Sequence, residues 1–356
     1  MRGAGPRHGA HAGLQQSTGD RSRGRRRTSA TIGGDRSSLK TGTSVSIAAV
    51  VVSFNRLGFL KECLSALKGQ TRMPDEIIVV DNGSTDGSAE YIRDEHPDVV
   101  LFETGENLGG AGGFAWGVEI AIARGHEAAW LMDDDACPEL DALAPLADLF
   151  ATMSPKPSFL ASLVTAGRDT FNRRNPPVIS QDAGKQVEAH EYDAIAIEAA
   201  TFVGVLINLE LAKTTHLPFS DFFIWIDDSE YTHRLSQMAP AMVVPASQVN
   251  HPDVAAKAKD LGPRIFYHIR NNLWFIRERK ALPATKVVAL GNLLHQTVYY
   301  GLNSTDKKQW AAAVAKGYAQ GCARRPRRVH PGEMLATLPE DVRQKLTQPL
   351  PSAGKR

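Results

Sequence analysis

Two groups of carboxylates carry the chemistry that can be read from this chain. Asp133, Asp134 and Asp135 close an apolar run, Trp130-Leu131-Met132, and Asp227 and Asp228 close a second run that is aromatic and begins at Phe222. Adjacent carboxylates repel one another, so at the end of a buried segment they call for a divalent cation or for work as acid and base. Acidic triplets also end as solvated loops, but the apolar residues directly before this one argue for burial. Glu230, two positions beyond the second pair, competes with it for the role of base.

These side chains need a frame. Residues 47–52 are a continuous β-branched and small apolar run, as expected of a strand buried on both faces of a parallel sheet. Residues 57–68 place Leu60, Leu64 and Leu67 at helical spacing, and a second buried strand is expected over 76–80, which makes the opening a βαβ unit. That strand delivers Asp81-Asn82-Gly83, a turn with capping residues after it. A third strand over 99–103 leads into Asn107-Leu108-Gly109-Gly110-Ala111-Gly112-Gly113, whose helix would point free N–H groups at an anion. By itself that glycine run is equally a device for packing a helix on a sheet. The loop after the first strand lacks GxGxxG and no GxxxxGK[ST] occurs, which removes the dinucleotide-dehydrogenase and P-loop readings. Ligands of open α/β sheets gather where these strands end.

Composition sets the class. The chain has 356 residues, 42% apolar and 22% charged, as suits a globular protein with a sizeable core. Cys63, Cys137 and Cys322 are far apart and read as reduced thiols. The formal net charge of +2 hides a division. Residues 1–43 hold nine basic and two acidic residues and residues 324–356 hold eight and three, while the stretch between has 24 basic and 34 acidic residues. No aromatic platform accompanies the arginines and the body is acidic, so nucleic acid is not expected as a partner. Basic ends suit peripheral contact with an anionic membrane, or solvated tails. The N-terminal stretch has no apolar h-region and is expected to be disordered. The nearest approach to a spanning segment, 286–302, contains Asn292, His295 and Gln296 and is expected to be a helix that lies on a membrane at most.

Taken in order, Val50-Val-Val-Ser-Phe-Asn-Arg56, Asp81-Asn-Gly-Ser-Thr-Asp-Gly-Ser88, the glycine run at 107–113 and Leu131-Met-Asp-Asp-Asp-Ala-Cys-Pro138 resemble family-2 glycosyltransferases of the GT-A fold. Within that family the glycine run, the aspartate triplet and Tyr267-His-Ile-Arg-Asn-Asn272 most resemble the galactofuranosyltransferases that initiate mycobacterial-type arabinogalactan galactan. Rhamnosyltransferases share most of these pieces.

The resemblance implies an α/β fold, a mixed Rossmann-like sheet flanked by helices, with a glycosyltransferase domain over 44–275, a helical region over 276–323 and a basic, Pro-rich tail over 324–356. It implies that Asp81 accepts a hydrogen bond from a uracil-type base and that Ser53, Asn55, Asn107 and Asp134 belong to the donor site. It further implies that Asp133 and Asp135 reach Mg²⁺ or Mn²⁺, a spacing with a physical reason because alternate positions of a strand share a face. Hard cations are preferred by oxygen ligands and phosphate. A third ligand is expected from His251. For an inverting transfer the base would be Asp228, with Asp227 beside it. Trp225 is expected to stack on a sugar, Gly204 to admit the acceptor, and Arg270, with Arg264 and Asn271, to meet diphosphate. The implied reaction takes galactofuranose from a UDP-sugar donor to a lipid-linked saccharide acceptor at the cytoplasmic face of the plasma membrane. A rhamnosyltransferase using dTDP-rhamnose and a non-catalytic nucleotide-sugar-binding protein are the alternatives.

Overall fold

The computed structural model describes residues 45–167, 170–252 and 259–348, so the expected disorder of 1–43 lies outside the described residues. The described strands are β1 (Ile47–Ser53), β2 (Glu76–Asp81), β3 (Val100–Glu103), β4 (Ala128–Asp133), β5 (Cys137–Pro138), β6 (Phe159–Thr165), β7 (Val178–Ile179), β8 (Ile195–Ala199), β9 (Val205–Asn208) and β10 (Ala241–Asn250). They form a mixed sheet in the order β3-β2-β1-β4-β9-β6-β10-β8-β7, with β5 paired to β10. The first four sheet positions are parallel, and β9 runs antiparallel between β4 and β6. The helices are α1 (Leu57–Lys68), α2 (Ser88–Glu95), α3 (Gly109–Ala123), α4 (Leu143–Thr152), α5 (Ala183–His190), α6 (Leu209–Ala212), α7 (Asp227–Ser236), α8 (Ile265–Glu278), α9 (Pro283–Asn303), α10 (Lys307–Ala323) and α11 (Glu340–Thr347).

The sheet is covered on both faces, which explains the unbroken apolar run of β1. Ile47, Ala49 and Val51 enter the core beneath α1 and α4, while Ala48, Val50 and Val52 enter the core beneath α3. Leu60, Leu64 and Leu67 of α1 are fully buried, each contributing about 1.5–3 kcal/mol through apolar area removed from water. On the other face α3 lies unusually close. A Cβ at Gly113 would stand 2.4 Å from a Val52 methyl, so the glycine run packs this helix onto β1.

Beyond residue 323 the chain does more than carry charge. Residues 324–348, read from composition as a basic tail, run back along α3. Leu335 and Leu346 are buried in its core, and the buried Glu119 carboxylate accepts hydrogen bonds from the Gly332 and Leu335 amides. Arg124 of α3's C-terminal end donates to the Leu346 carbonyl. The helical region packs through small residues too, since Gly317 and Gly321 of α10 face Ile269 and Leu273 of α8.

Candidate active site

The parallel strands deliver the first acidic cluster at their carboxyl ends. β4 stops at Asp133, and Asp134 and Asp135 occupy the turn that follows. The convergence of Asp133 and Asp135 therefore comes from a strand end and a turn, where alternation along one strand was expected. His251 directly follows β10, with its amide donating to the Thr165 carbonyl and its carbonyl accepting from Asn172. Ligand atoms of Asp133, Asp135 and His251 all lie within 4.8 Å of one another. His251 Nε2 is 3.1 Å from Asp135 Oδ1, while buried His251 Nδ1 has no hydrogen-bond partner. A donor set of two carboxylates and one imidazole fits a hard divalent cation that also takes phosphate oxygens.

The charges in this cluster are unequal. Burial and the Asp135 charge push Asp133 up to about 8. Asp135 is instead held below the usual carboxylate range: burial works against this, but His251 and Arg56 outweigh it. Arg56 Nη1 lies 2.6 Å from Asp135 Oδ2 and 3.4 Å from Asp134 Oδ1. Sequence reasoning gave Arg56 no role; its position at the end of the Val50–Arg56 motif, on the loop of a strand adjacent to β4, was the available signal. Asp134, expected on the donor side, is buried and accepts from Ser53 Oγ at 2.9 Å and from the Phe54 amide at 3.2 Å. Burial raises it to about 6. Its observed contacts organise the β1 loop.

The neighbouring loops are tied together in the same way. Asn55, at φ 52°, accepts from the Thr85 amide at 2.7 Å, and its own amide donates to Ser84 Oγ, so its side chain links the β1 and β2 loops. Asp81 ends β2 with Oδ2 accepting from the Gly83 and Ser84 amides, whereas its buried Oδ1 has no hydrogen-bond partner. That oxygen is the one Asp81 acceptor left open for a ligand. Asn107 Oδ1 accepts from the Gly109 amide, and its residue lines a cavity of about 660 Å³ with Leu108, Phe223, Tyr267, Arg270 and Arg327. The start of α3 is not a free anion site. The Ala111 amide donates to the Phe223 carbonyl, and Gly109, at φ 70°, sits so close that a Cβ would stand 1.9 Å from that same oxygen.

The second acidic pair has a different support. Asp227 and Asp228 open α7, and the aromatic run before them is a loop in which Phe223, Trp225 and Ile226 all have φ between 65° and 69°. Positive φ is costly for aromatic and β-branched residues, about 1–3 kcal/mol each, and persists only where surroundings impose it. Asn271 of α8 imposes it. Its Nδ2 lies within hydrogen-bond distance of the carbonyls of Phe222, Ile224 and Trp225, at 2.8–3.1 Å. Arg270 donates to the Asp221 and Phe222 carbonyls and lays its guanidinium 4.4 Å from the Trp274 ring centroid. Arg270 and Asn271, expected to meet diphosphate, are thus fastened to the loop. Burial raises Asp227 well above the ordinary range, with the Asp228 charge adding to it, and burial raises Asp228 as well. The Asp227 charge is the smallest of the causes that raise Asp133, so the second pair lies within electrostatic reach of the first.

The remaining predicted residues divide. Trp225 is partly exposed and meets His268 edge-on, leaving a face for a ligand. Gly204 is enclosed by protein. Its amide donates to Leu131, and a Cβ would come 2.7 Å from a Val249 methyl and 2.8 Å from Ser162 Oγ, which explains the glycine without an acceptor. Glu230 is buried and grips Arg234 through both oxygens at 3.0 Å, while Arg234 also donates to Thr215 and the His216 carbonyl. Glu230, the rival to Asp228 by sequence, is thus paired with Arg234.

A mixed sheet with acidic side chains at the carboxyl ends of its parallel strands has the architecture of the GT-A glycosyltransferase fold. Residues 48–199 match the profile of Glycosyl transferase family 2. It is 31% identical over 205 residues to the galactofuranosyltransferase GlfT1 of Mycobacterium tuberculosis, covering 53% of this chain. The chain spans 64% of that relative's length. It is 22% identical to the M. tuberculosis N-acetylglucosaminyl-diphospho-decaprenol L-rhamnosyltransferase, over 65% of this chain and 84% of the relative. Among solved structures, S. aureus TarS 1-349 in complex with UDP superposes with a TM-score of 0.54 at 16% identity, covering 85% of this chain and 86% of TarS. GalNAc-T7 with UDP, GalNAc and Mn²⁺ gives a TM-score of 0.51 at 16% identity, over 78% and 57% of the two chains. At these identities the structures show the fold.

Proposed function

We propose that this chain is an inverting, metal-dependent glycosyltransferase that transfers galactofuranose from UDP-galactofuranose to a polyprenyl-diphosphate-linked rhamnosyl-N-acetylglucosamine. The observation that carries the reading is the meeting of Asp133, Asp135 and His251 within 4.8 Å. The galactofuranosyltransferase relative supports the donor, and the rhamnosyltransferase relative, whose printed name gives a diphospho-decaprenol substrate, supports a lipid-linked acceptor.

Asp133, Asp135 and His251 would hold Mg²⁺ or Mn²⁺, which when bound supplies positive charge against the diphosphate of the departing UDP. Asp81 Oδ1 receives a hydrogen bond from the nucleotide base. Asp228 accepts the proton of the acceptor hydroxyl as that oxygen attacks the anomeric carbon from the side opposite UDP, which inverts the centre. Burial suits Asp228 to this step, because a base whose proton affinity has risen toward neutrality takes up a proton more readily. Asp227 keeps negative charge beside it, and Trp225 offers a ring face to a sugar. Among the described residues no helix is long and apolar enough to cross a membrane, so contact with the inner face of the plasma membrane would be peripheral.

A second reading, transfer of rhamnose from dTDP-rhamnose, draws on the relative of which this chain covers 84%. Incubating the full chain with a synthetic polyprenyl-diphosphate disaccharide and each donor separates the two. Metal-dependent transfer from UDP-galactofuranose alone supports the first, transfer from dTDP-rhamnose replaces it with the second, and binding of either donor with no transfer to any acceptor would favour a non-catalytic sugar-nucleotide protein.

A further inference from the structure

The helix α9 turns an apolar face away from the protein. Leu293 and Thr297 are its buried positions, packed toward α8 and α10. At 100° per residue, Val288, Val298 and Leu302 fall on the side opposite those positions together with exposed His295, Val287 and Leu294 lie along one flank of that side, Leu282 stands just before the first turn and Tyr299 is at the margin. They are solvent-exposed, Val287 at 69%, Val298 at 59% and Leu302 at 77%. Soluble surfaces rarely leave a row of aliphatic side chains of this length uncovered. Thr285, Asn292 and Gln296 line one flank as a polar stripe, and α9 is not apolar enough to cross a bilayer.

The charge around this face selects its partner. α9 contains no Asp or Glu; exposed Lys280 precedes it and exposed Lys308 follows it, while Lys286 donates to the Arg277 carbonyl, Lys307 donates to the Gly301 and Leu302 carbonyls, and exposed Asp306 adjoins Lys307. An apolar face flanked at both ends by lysines, on a helix of about 31 Å at 1.5 Å per residue, has the make-up of a helix lying in the plane of an anionic membrane surface. We infer that the outer face of α9 is the surface by which this protein docks on an anionic bilayer, its aliphatic side chains entering the headgroup boundary and its terminal lysines meeting anionic headgroups. This deepens the lipid-linked-acceptor reading by naming the docking surface, and it is tested without donor or acceptor, so the two fail separately.

The test is co-sedimentation of the full chain with vesicles of phosphatidylglycerol and phosphatidylcholine, and of phosphatidylcholine alone. The wild type is expected to bind the anionic vesicles preferentially. Val287→Glu with Val298→Glu is expected to reduce that binding by about tenfold or more while leaving the melting temperature and circular-dichroism spectrum unchanged, and Lys280→Gln with Lys308→Gln to reduce it by a smaller factor that vanishes at high salt. No vesicle binding by the wild type, or binding that the Val287/Val298 variant leaves intact, overturns the inference. So does a shift from dimer to monomer in that variant by analytical ultracentrifugation, since the face would then cover a second copy of this chain.

Discussion

The two acidic clusters are held in place by different means. Asp133, Asp134 and Asp135 stand at the end of a regular strand, and nearby groups meet their charge: Arg56, His251, Ser53 and the Phe54 amide. Asp227 and Asp228 follow a loop with three side chains at positive φ, held in shape by a helix more than forty residues away in sequence. In the first cluster Asp134 and Asp135 have charged or hydrogen-bonding partners, and Asp135 is lowered while Asp133 and Asp134 are raised; in the second, Asp227 and Asp228 are both raised, with burial the largest cause.

The largest effect expected of this difference is at Asp228. Asp228→Asn should lower the transfer rate by about 10²–10⁴-fold while UDP affinity in the presence of Mn²⁺ stays close to wild type. Equal loss of both would erase the distinction between the clusters. Asp135→Ala should do the reverse first, weakening cation-dependent UDP binding by about tenfold or more, as measured by titration calorimetry with and without Mn²⁺. An unchanged cation dependence would remove Asp135 from the ligand set.

Asn271→Ala separates position from chemistry. It leaves loop carbonyls without their donor, at about 1–3 kcal/mol, and should lower both the melting temperature and kcat while the affinity for UDP and cation is kept. A variant with wild-type kcat would show that the strained loop does not set the place of Asp228.

The smallest effect is in pH. Asp133 keeps its proton to about 8 and Asp134 to about 6, above the ordinary carboxylate range, so the cation-free folded protein binds more protons than the unfolded chain in between. Stability of the cation-free protein should therefore fall as pH rises from about 5 to 8. A cation must displace those protons, so its affinity should rise over the same interval, by at most about tenfold per pH unit per proton released. Thermal melts with and without Mn²⁺ at several pH values read both, and stabilisation by Mn²⁺ that does not grow with pH would contradict them.

The same contrast explains what the sequence disclosed. The strands predicted over 47–52, 76–80 and 99–103 and the helix over 57–68 appear to within one residue at each end, because their signals are local: unbroken apolar runs, helical spacing and turn residues. The acidic triplet was legible for the same reason. Positive φ at Phe223, Trp225 and Ile226 left no mark, since none is glycine and the cause is Asn271. Gly204 and Glu230 looked available for ligands by type, yet each is taken up by protein partners visible only after folding, and Arg270 lines the cavity while tied to the loop carbonyls. The Arg-rich C-terminal stretch concealed Leu335 and Leu346, two apolar residues whose burial depends on Glu119 and the length of α3.

The central claim is a cation-dependent transfer at the Asp133, Asp135 and His251 cluster. It is tested most directly by the rate of galactofuranose transfer from UDP-galactofuranose in EDTA, followed by titration with Mn²⁺ or Mg²⁺. Transfer should vanish in EDTA and return in a saturable way with either cation. Undiminished transfer in EDTA would contradict the account.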